Sequence, residues 1–376
     1  MERRSARDIG FDPERLDAAF RIVATAAGTK PIPAAALAVG RGNAAVEPRA
    51  WGFAVFPEDQ REPVRDDTLF DLASLTKVLA TATACWWLVE RGKLRLQERV
   101  REILPDFGAV PEGEDPEWRQ AVSVWHLLAH TSGLPAGRDL RRVEGGRAER
   151  LAAVAKTPLA APPGSDATYS DLGFMLLAAI VETVAGYDLP AFCAREIFGP
   201  LGMRETGWNP APALARRAAA TEWVSSEHAP NGKEGFLRGV VHDENARTLG
   251  GVAGHAGLFS TVPDLMAFAA MLSGYGSVLS PHTIARMATP VVVRDVESRT
   301  LGWQGPGKVT GPFGDLWTAH SFGHTGFTGT SLWVDRGHDL WIILLTNAVH
   351  MGRDLGRPAL QSIRANFHNA VIGALT

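Results

Sequence analysis

The apolar positions of this chain change period several times, and the changes divide it into segments. Asp12-Pro13, then Leu16, Phe20, Val23 and Ala27 at helical spacing, predict a capped amphipathic helix that stops at Gly28. Two strand-like runs follow at residues 35–39 and 45–55, joined through the turn residues Gly40-Arg41-Gly42-Asn43. The second part of residues 71–91 is helical: Val78, Leu79, Ala82, Trp86 and Val89 share a face, and Gly92 ends it. From about Leu96 to Gly239 the spacing is mostly helical, broken by Pro/Gly-rich loops such as Ala161-Pro162-Pro163-Gly164. Strand character returns at residues 331–335 and 340–346, across the turn Arg336-Gly337-His338-Asp339, and residues 355–375 again read as helix.

Strands near both ends with helices between them predict an α/β (α+β) fold. An antiparallel sheet flanked by helices is formed by residues 1–95 and 240–376, and an all-helical lobe, residues 96–239, is inserted between. Length agrees, since 376 residues exceed one ordinary domain. An apolar fraction of 45% supplies a sizeable core, and a net charge of −3 gives no reason to invoke nucleic acid or an anionic membrane. The N-terminal stretch 1–21 has charges but no apolar signal region, and the runs at 175–181 and 340–345 are too short to span a bilayer. A cytoplasmic protein is the expectation. Cys85 and Cys193 make no disulfide framework and read as buried thiols.

Lysine is scarce: only six of the 38 basic residues are Lys, so the position of each is informative. Ser74-Leu75-Thr76-Lys77 sets a serine and a lysine three apart at a helix start, on one face and about 5–6 Å apart at Cβ. A serine hydroxyl needs a neighbour to take its proton, and a helix N-terminus offers N–H groups to a developing oxyanion. Alone the spacing is weak, because it occurs by chance about once in a chain of this length. Its company is stronger. Tyr169-Ser170-Asp171 precedes a helix whose apolar face carries Leu172, Met175, Leu176 and Ala179, and His324-Thr325-Gly326 lies just ahead of the 331–335 strand.

The order and spacing of Ser74–Lys77, Tyr169–Asp171 and His324–Gly326 resemble the serine β-lactamase-like and penicillin-binding-protein superfamily, most closely class C β-lactamases and family VIII esterases. The likeness extends to Thr68–Ala73, to His126-Leu127-Leu128-Ala129-His130-Thr131-Ser132-Gly133-Leu134 and to Gly257-Leu258-Phe259-Ser260-Thr261. It implies a β-lactamase/transpeptidase-like fold and acylation of Ser74, with Lys77 and Tyr169 managing its proton. It further implies an oxyanion hole from the backbone N–H groups of Ser74 and Phe327, and a substrate-binding segment His324-Thr325-Gly326 on the leaving side.

Two positions depart from the family's pattern. Asp171 stands where class C enzymes have Asn, and His324 where they have Lys. Neutralising a free lysine at pH 7 costs roughly 4.6 kcal/mol, and a carboxylate beside it raises that cost. If Asp171 points at Lys77, Lys77 stays charged and Tyr169 becomes the proton acceptor, its phenolate favoured by Lys77 and by any charge on His324. A helix N-cap is the alternative role for Asp171, and a simple turn residue the alternative for His324. Without the family's permanent cation at 324, anionic substrates should bind less well, which ranks carboxylic esters above β-lactams. Histidine there also resembles D-aminopeptidases, which places peptides and amides between.

The expectation is therefore a serine hydrolase with an acyl-enzyme intermediate, most simply a carboxylesterase with weak or no β-lactamase activity. A D-amino-acid peptidase or amidase, or a β-lactamase, is the alternative; a non-hydrolytic acyl- or penicillin-binding protein is the alternative of another class. The partner is a small ester or amide, with no cofactor and no metal. His126 and His130 have metal-ligand spacing but no following Glu, and read as a packed pair. His242, Asp243 and His255 flank the Gly250–Gly254 stretch, which reads as a rim near the cleft rather than a phosphate loop. The late tryptophans Trp303, Trp317, Trp333 and Trp341 read as packing.

Overall fold

The computed structural model describes residues 1–56, 62–227, 229, 232–293, 297–307 and 313–376. Its centre is an eleven-stranded sheet in which Leu340–Thr346 pairs antiparallel with Ala34–Arg41 on one side and with Ser331–Asp335 on the other. Leu340–Thr346 is buried along its whole length, as its unbroken apolar run requires of a central strand. The N- and C-terminal segments thus meet in one sheet. The helix Pro13–Ala26, capped by Asp12, packs with the C-terminal helix Arg353–Ile372 over one face, closing a core of Phe20, Leu37, Ile342 and Phe367. The other face packs on the helices that carry the chemistry.

The strand at 45–55 is shorter than its pattern suggested. It divides into Ala44–Ala45 and Arg49–Val55 around Pro48, which has no N–H for a ladder. The helix after Ser74 also differs from its reading as amphipathic. Lys77–Ala82 winds as one wider turn and continues as Thr83–Glu90, with buried residues on every side from Lys77 to Leu88. It is a central helix packed on the helix Asp171–Ala185, while Val262–Leu272 lies against the sheet strands Ala34–Arg41 and Leu340–Thr346. The intervening stretch is built of short and long helices joined by loops and contributes short strands, Gly207–Trp208 against Leu258–Ser260 and Trp223–Val224 against Gly235–Phe236. No single helix among the described residues is long and apolar enough to cross a membrane.

His324 occupies a strand, not a turn. Ser321–Thr325 pairs antiparallel with Ser331–Asp335, setting His324 opposite Leu332. Gly323 and the polar residues around it obscure the strand signal in the sequence. Trp303, Trp333 and Trp341 are buried as packing residues, and the Trp317 ring packs tilted on Trp333 at 5.5 Å.

Candidate active site

The chain turns sharply into Ser74. Ala73, just before it, has φ 45°, a left-handed conformation that an alanine adopts only when its surroundings hold it. The holding group is Asp71. One of its carboxylate oxygens accepts from the Ala73 amide at 2.8 Å, the other from the His242 amide at 2.6 Å. Burial pushes the Asp71 carboxyl up, against the pull of these two N–H groups. Ser74 then opens the central helix, one turn ahead of Lys77.

Lys77 has no exposed side-chain surface. Its ammonium lies 2.7 Å from Asp171 Oδ1, 3.0 Å from Ser74 Oγ and 3.1 Å from the His255 carbonyl, and 4.8 Å from the centre of the Tyr169 ring. Burial alone would lower its pKa; Asp171 and Tyr169 outweigh it, and the net direction is upward. Lys77 is therefore a held cation.

Asp171 reaches Lys77 because it is not the cap of its helix. Ser170 takes that role, its hydroxyl accepting from the Gly173 amide. Asp171 is the first helical residue and its side chain is free to turn inward. Tyr169 lies just before the cap, with the ring of His130 at 4.7 Å and that of His324 at 6.0 Å. His130 Nδ1 accepts from the Ser170 amide at 3.0 Å, and burial lowers this imidazole well below its usual range. His126 bonds instead to Ser123 at the start of its own short helix. The two histidines thus serve different neighbours.

His324 is buried, with Nδ1 2.7 Å from the Thr325 carbonyl. A carbonyl only accepts, so Nδ1 carries the hydrogen and Nε2 is a bare acceptor, without a protein partner among the described residues. Burial first, then the nearby Arg299 and Lys77 charges, push its pKa down to about 3. His324 is neutral and supplies no positive charge to Tyr169. That charge comes from Arg299, whose guanidinium lies 5.2 Å from the Tyr169 ring centre.

Ser74, Tyr169, His324, Thr325, Gly326 and Phe327 line one cleft of about 530 Å³. Gly326 has to be glycine, since a Cβ there would meet Thr330 Oγ1 at 2.2 Å and the Leu72 carbonyl at 2.4 Å. This close approach packs the His324 strand against the turn into Ser74. The amides of Ser74 and Phe327 have no acceptor among the described residues. Lys77 and Asp171 sit behind the serine rather than in the cleft lining.

The far side of the cleft is cationic. Arg299, Arg353, Arg357 and Arg364 line it, with Asp354 as the one carboxylate. Arg353 is paired with Glu222 and Glu244. Arg357 lies flat on the Phe327 ring at 3.9 Å. Arg364 is only 7% exposed, donates to the Gly329 carbonyl at 3.2 Å, and has no carboxylate within ion-pair distance among the described residues. Burial and the neighbouring Arg357 lower its pKa to about 10. Sequence reasoning missed these arginines. Arg353, Arg357 and Arg364 at i, i+4 and i+11 of a C-terminal helix were a readable signal of one cationic face. Arg299, in an unpatterned stretch, offered none.

Asp171, Asp243 and His255 bring ligand atoms within 4.8 Å of one another, a donor set with the reach to hold a cation. The Lys77 ammonium already supplies one there.

A protein-family model described as Beta-lactamase matches residues 19–365. A curated relative from Escherichia coli (strain K12), named "Putative D-alanyl-D-alanine carboxypeptidase", is 33% identical over 373 residues, covering 92% of this chain and 85% of its own. Among solved structures, EstCE1, a hydrolase with promiscuous acyltransferase activity, superposes with a TM-score of 0.75 at 24% identity, over 95% of this chain and 98% of its own. A class C β-lactamase from Rhodobacter sphaeroides gives 0.71 at 20% identity, over 94% and 98%. At these identities the two structures share the fold.

Proposed function

The chain belongs to the β-lactamase family of serine hydrolases, and from that premise we propose that it cleaves small acyl compounds bearing a carboxylate, through an acyl-enzyme on Ser74. The observation that carries the reaction type is the contact set of one buried ammonium with Ser74 Oγ, Asp171 Oδ1 and the His255 carbonyl. A fixed cation at that point holds the serine hydroxyl and stabilises negative charge beside it.

In this reading Tyr169 acts as the phenolate and takes the Ser74 proton while Oγ attacks the substrate carbonyl. The oxyanion lies on the amides of Ser74 and Phe327. Collapse returns the proton from Tyr169 to the leaving amine or alcohol, leaving the acyl group on Ser74. Water then repeats the sequence: it gives a proton to Tyr169, attacks the ester and releases the acid, and Ser74 regains the proton. Lys77 moves no proton in either half.

Arg299, Arg357 and Arg364 support a substrate with a negative group on the far side of the cleft, as does the name of the Escherichia coli relative. Both favour peptides ending in a D-amino acid over simple esters. The sequence reading ranked esters first on the loss of a cation at 324; the arginines supply cations elsewhere. A second reading, hydrolysis of uncharged carboxylic esters, is favoured by the neutral His324 facing the same cleft.

The test compares a peptide ending in D-alanyl-D-alanine, p-nitrophenyl acetate and nitrocefin, each with wild type and Ser74→Ala. Steady turnover of the peptide at the highest kcat/KM, abolished in Ser74→Ala, is the expected result. Preference for the acetate selects the ester reading. A stoichiometric burst without turnover on any substrate would replace both with an acyl-trapping protein.

A further inference from the structure

The acylation scheme leaves unused an acid–imidazole pair outside the cleft lining, the half-buried Asp243 and the buried His255. The segment before the Leu258–Ser260 strand lies along the central helix in three contacts. Thr81 Oγ1 donates to the Gly254 carbonyl at 2.7 Å, Lys77 Nζ to the His255 carbonyl at 3.1 Å, and the Leu258 amide to Thr76 Oγ1 at 3.0 Å. Gly254 permits the fit, because a Cβ there would come within 2.2 Å of the Phe174 carbonyl.

The His255 side chain is 1% exposed, and its Nε2 lies 2.9 Å from Asp243 Oδ1. A carboxylate accepts, so Nε2 carries the hydrogen. The same Asp243 oxygen caps the helix Glu244–Thr248 through the Ala246 amide at 2.7 Å, which fixes the carboxylate in place. Burial would raise the Asp243 pKa; His255, the Ala246 amide and Lys77 reverse this and hold it well below the usual range.

We propose that Asp243 and His255 are positioning residues for acylation: the pair anchors the His255 carbonyl against the Lys77 ammonium, and the Asp243 carboxylate joins Asp171 in keeping that ammonium charged. This rests on the reading of Ser74 as the acylated nucleophile. The other ionisable groups around Lys77 are Tyr169 and Asp171 at the helix start, His130 from the preceding turn, and His324 and Arg299 from the sheet. Asp71 faces Asp243 from the strand before Ser74. His130 and His324 are held neutral, so Asp171, the Tyr169 phenolate of the proposed mechanism and Asp243 are the anions facing the ammonium. Removing the Asp243 charge lowers the pKa of Lys77.

The experiment follows labelling of Ser74 by a fluorophosphonate between pH 7 and 11, which reads nucleophile reactivity without a substrate assignment. Asp243→Asn keeps a capping oxygen and removes the charge. Its maximal labelling rate should fall about tenfold, with the half-saturating probe concentration unchanged, and its alkaline limb should move to lower pH. His255→Gln should slow labelling while leaving the alkaline limb in place, since the Asp243 charge remains. Wild-type rate and limb in Asp243→Asn would overturn the proposal. So would variants that lose folded protein in a thermal melt while each folded molecule labels at the wild-type rate. A wild type that does not label overturns the hydrolase reading itself, a result distinct from either.

Discussion

Two cationic regions face each other across this cleft, and they are built on opposite principles. On the Ser74 side, Lys77 is fully buried and fully answered, by a carboxylate at 2.7 Å, a carbonyl at 3.1 Å and the serine hydroxyl. On the C-terminal helix, Arg364 is also buried but meets one carbonyl and no carboxylate among the described residues. A buried charge without a partner is costly, and a buried charge with one is costly to break. The comparison assigns the two regions different work. Lys77 is an internal fixture whose charge must not change; Arg364, with Arg357 beside it, is complementary to a charge that arrives with the substrate.

The largest effect should come from breaking the answered side. Asp171→Ala leaves the Lys77 ammonium short of its nearest anion, so the lysine either loses its proton or stays charged at a cost. Acylation of Ser74 should fall by at least about a hundredfold, and stability by about 3 kcal/mol, the scale for removing one partner of a buried pair. Active-site titration with a fluorophosphonate and urea unfolding check the two parts. Retention of both rate and stability would show that Lys77 does not depend on Asp171.

The same operation on the unanswered side should have the opposite sign for stability. Arg364→Met removes a guanidinium that burial disfavours and keeps apolar volume, so the urea midpoint should hold or rise. Function should respond selectively. KM for a carboxylate-bearing peptide should rise about tenfold, the scale of one lost charge-assisted bond, while kinetics on p-nitrophenyl acetate stay within about twofold. An equal loss on both substrates would make Arg364 a structural residue and remove the anion from the substrate reading.

This contrast was half legible in the sequence. Ser74 and Lys77 share a face because a helix start fixes where side chains three residues apart must lie, while Tyr169 and Asp171 were tied to them by the resemblance in motif order and not by local geometry. The 331–335 and 340–346 strands were readable for a similar local reason: an apolar run flanked by turn residues carries its own signal. The arginines differ. Arg299 and Arg364 lie 225 and 290 residues after Ser74 in sequence, and only the fold brings them to the same cleft. His324 illustrates the limit within one residue. Its position and the loss of a permanent cation there were readable, but not how far its pKa falls, because burial and the Arg299 and Lys77 charges set it. The ranking of esters over anionic substrates rested on that missing charge.

The smallest effect is expected where the two regions meet. His324 lies between them and takes no proton until about pH 3. His324→Gln keeps an uncharged side chain with an acceptor, so kcat/KM should change by no more than about threefold between pH 5 and 8, and the profile should keep its shape. Stability gives an independent reading with a defined sign. A histidine at about 3 in the folded state and about 6.5 when unfolded takes up more protons on unfolding, so it destabilises the fold as pH falls from about 6.5 towards 3. Replacing it should therefore flatten the loss of stability in that window relative to wild type, measured by urea unfolding at pH 7.5 and 5. His130 and His368, also held low by burial, remain as contributors, so the loss is reduced rather than abolished. An acidic limb in the wild-type rate profile that disappears in His324→Gln would mean that His324 does titrate in the working range. The boundary between the answered and unanswered cations would then be a switch rather than a fixed wall.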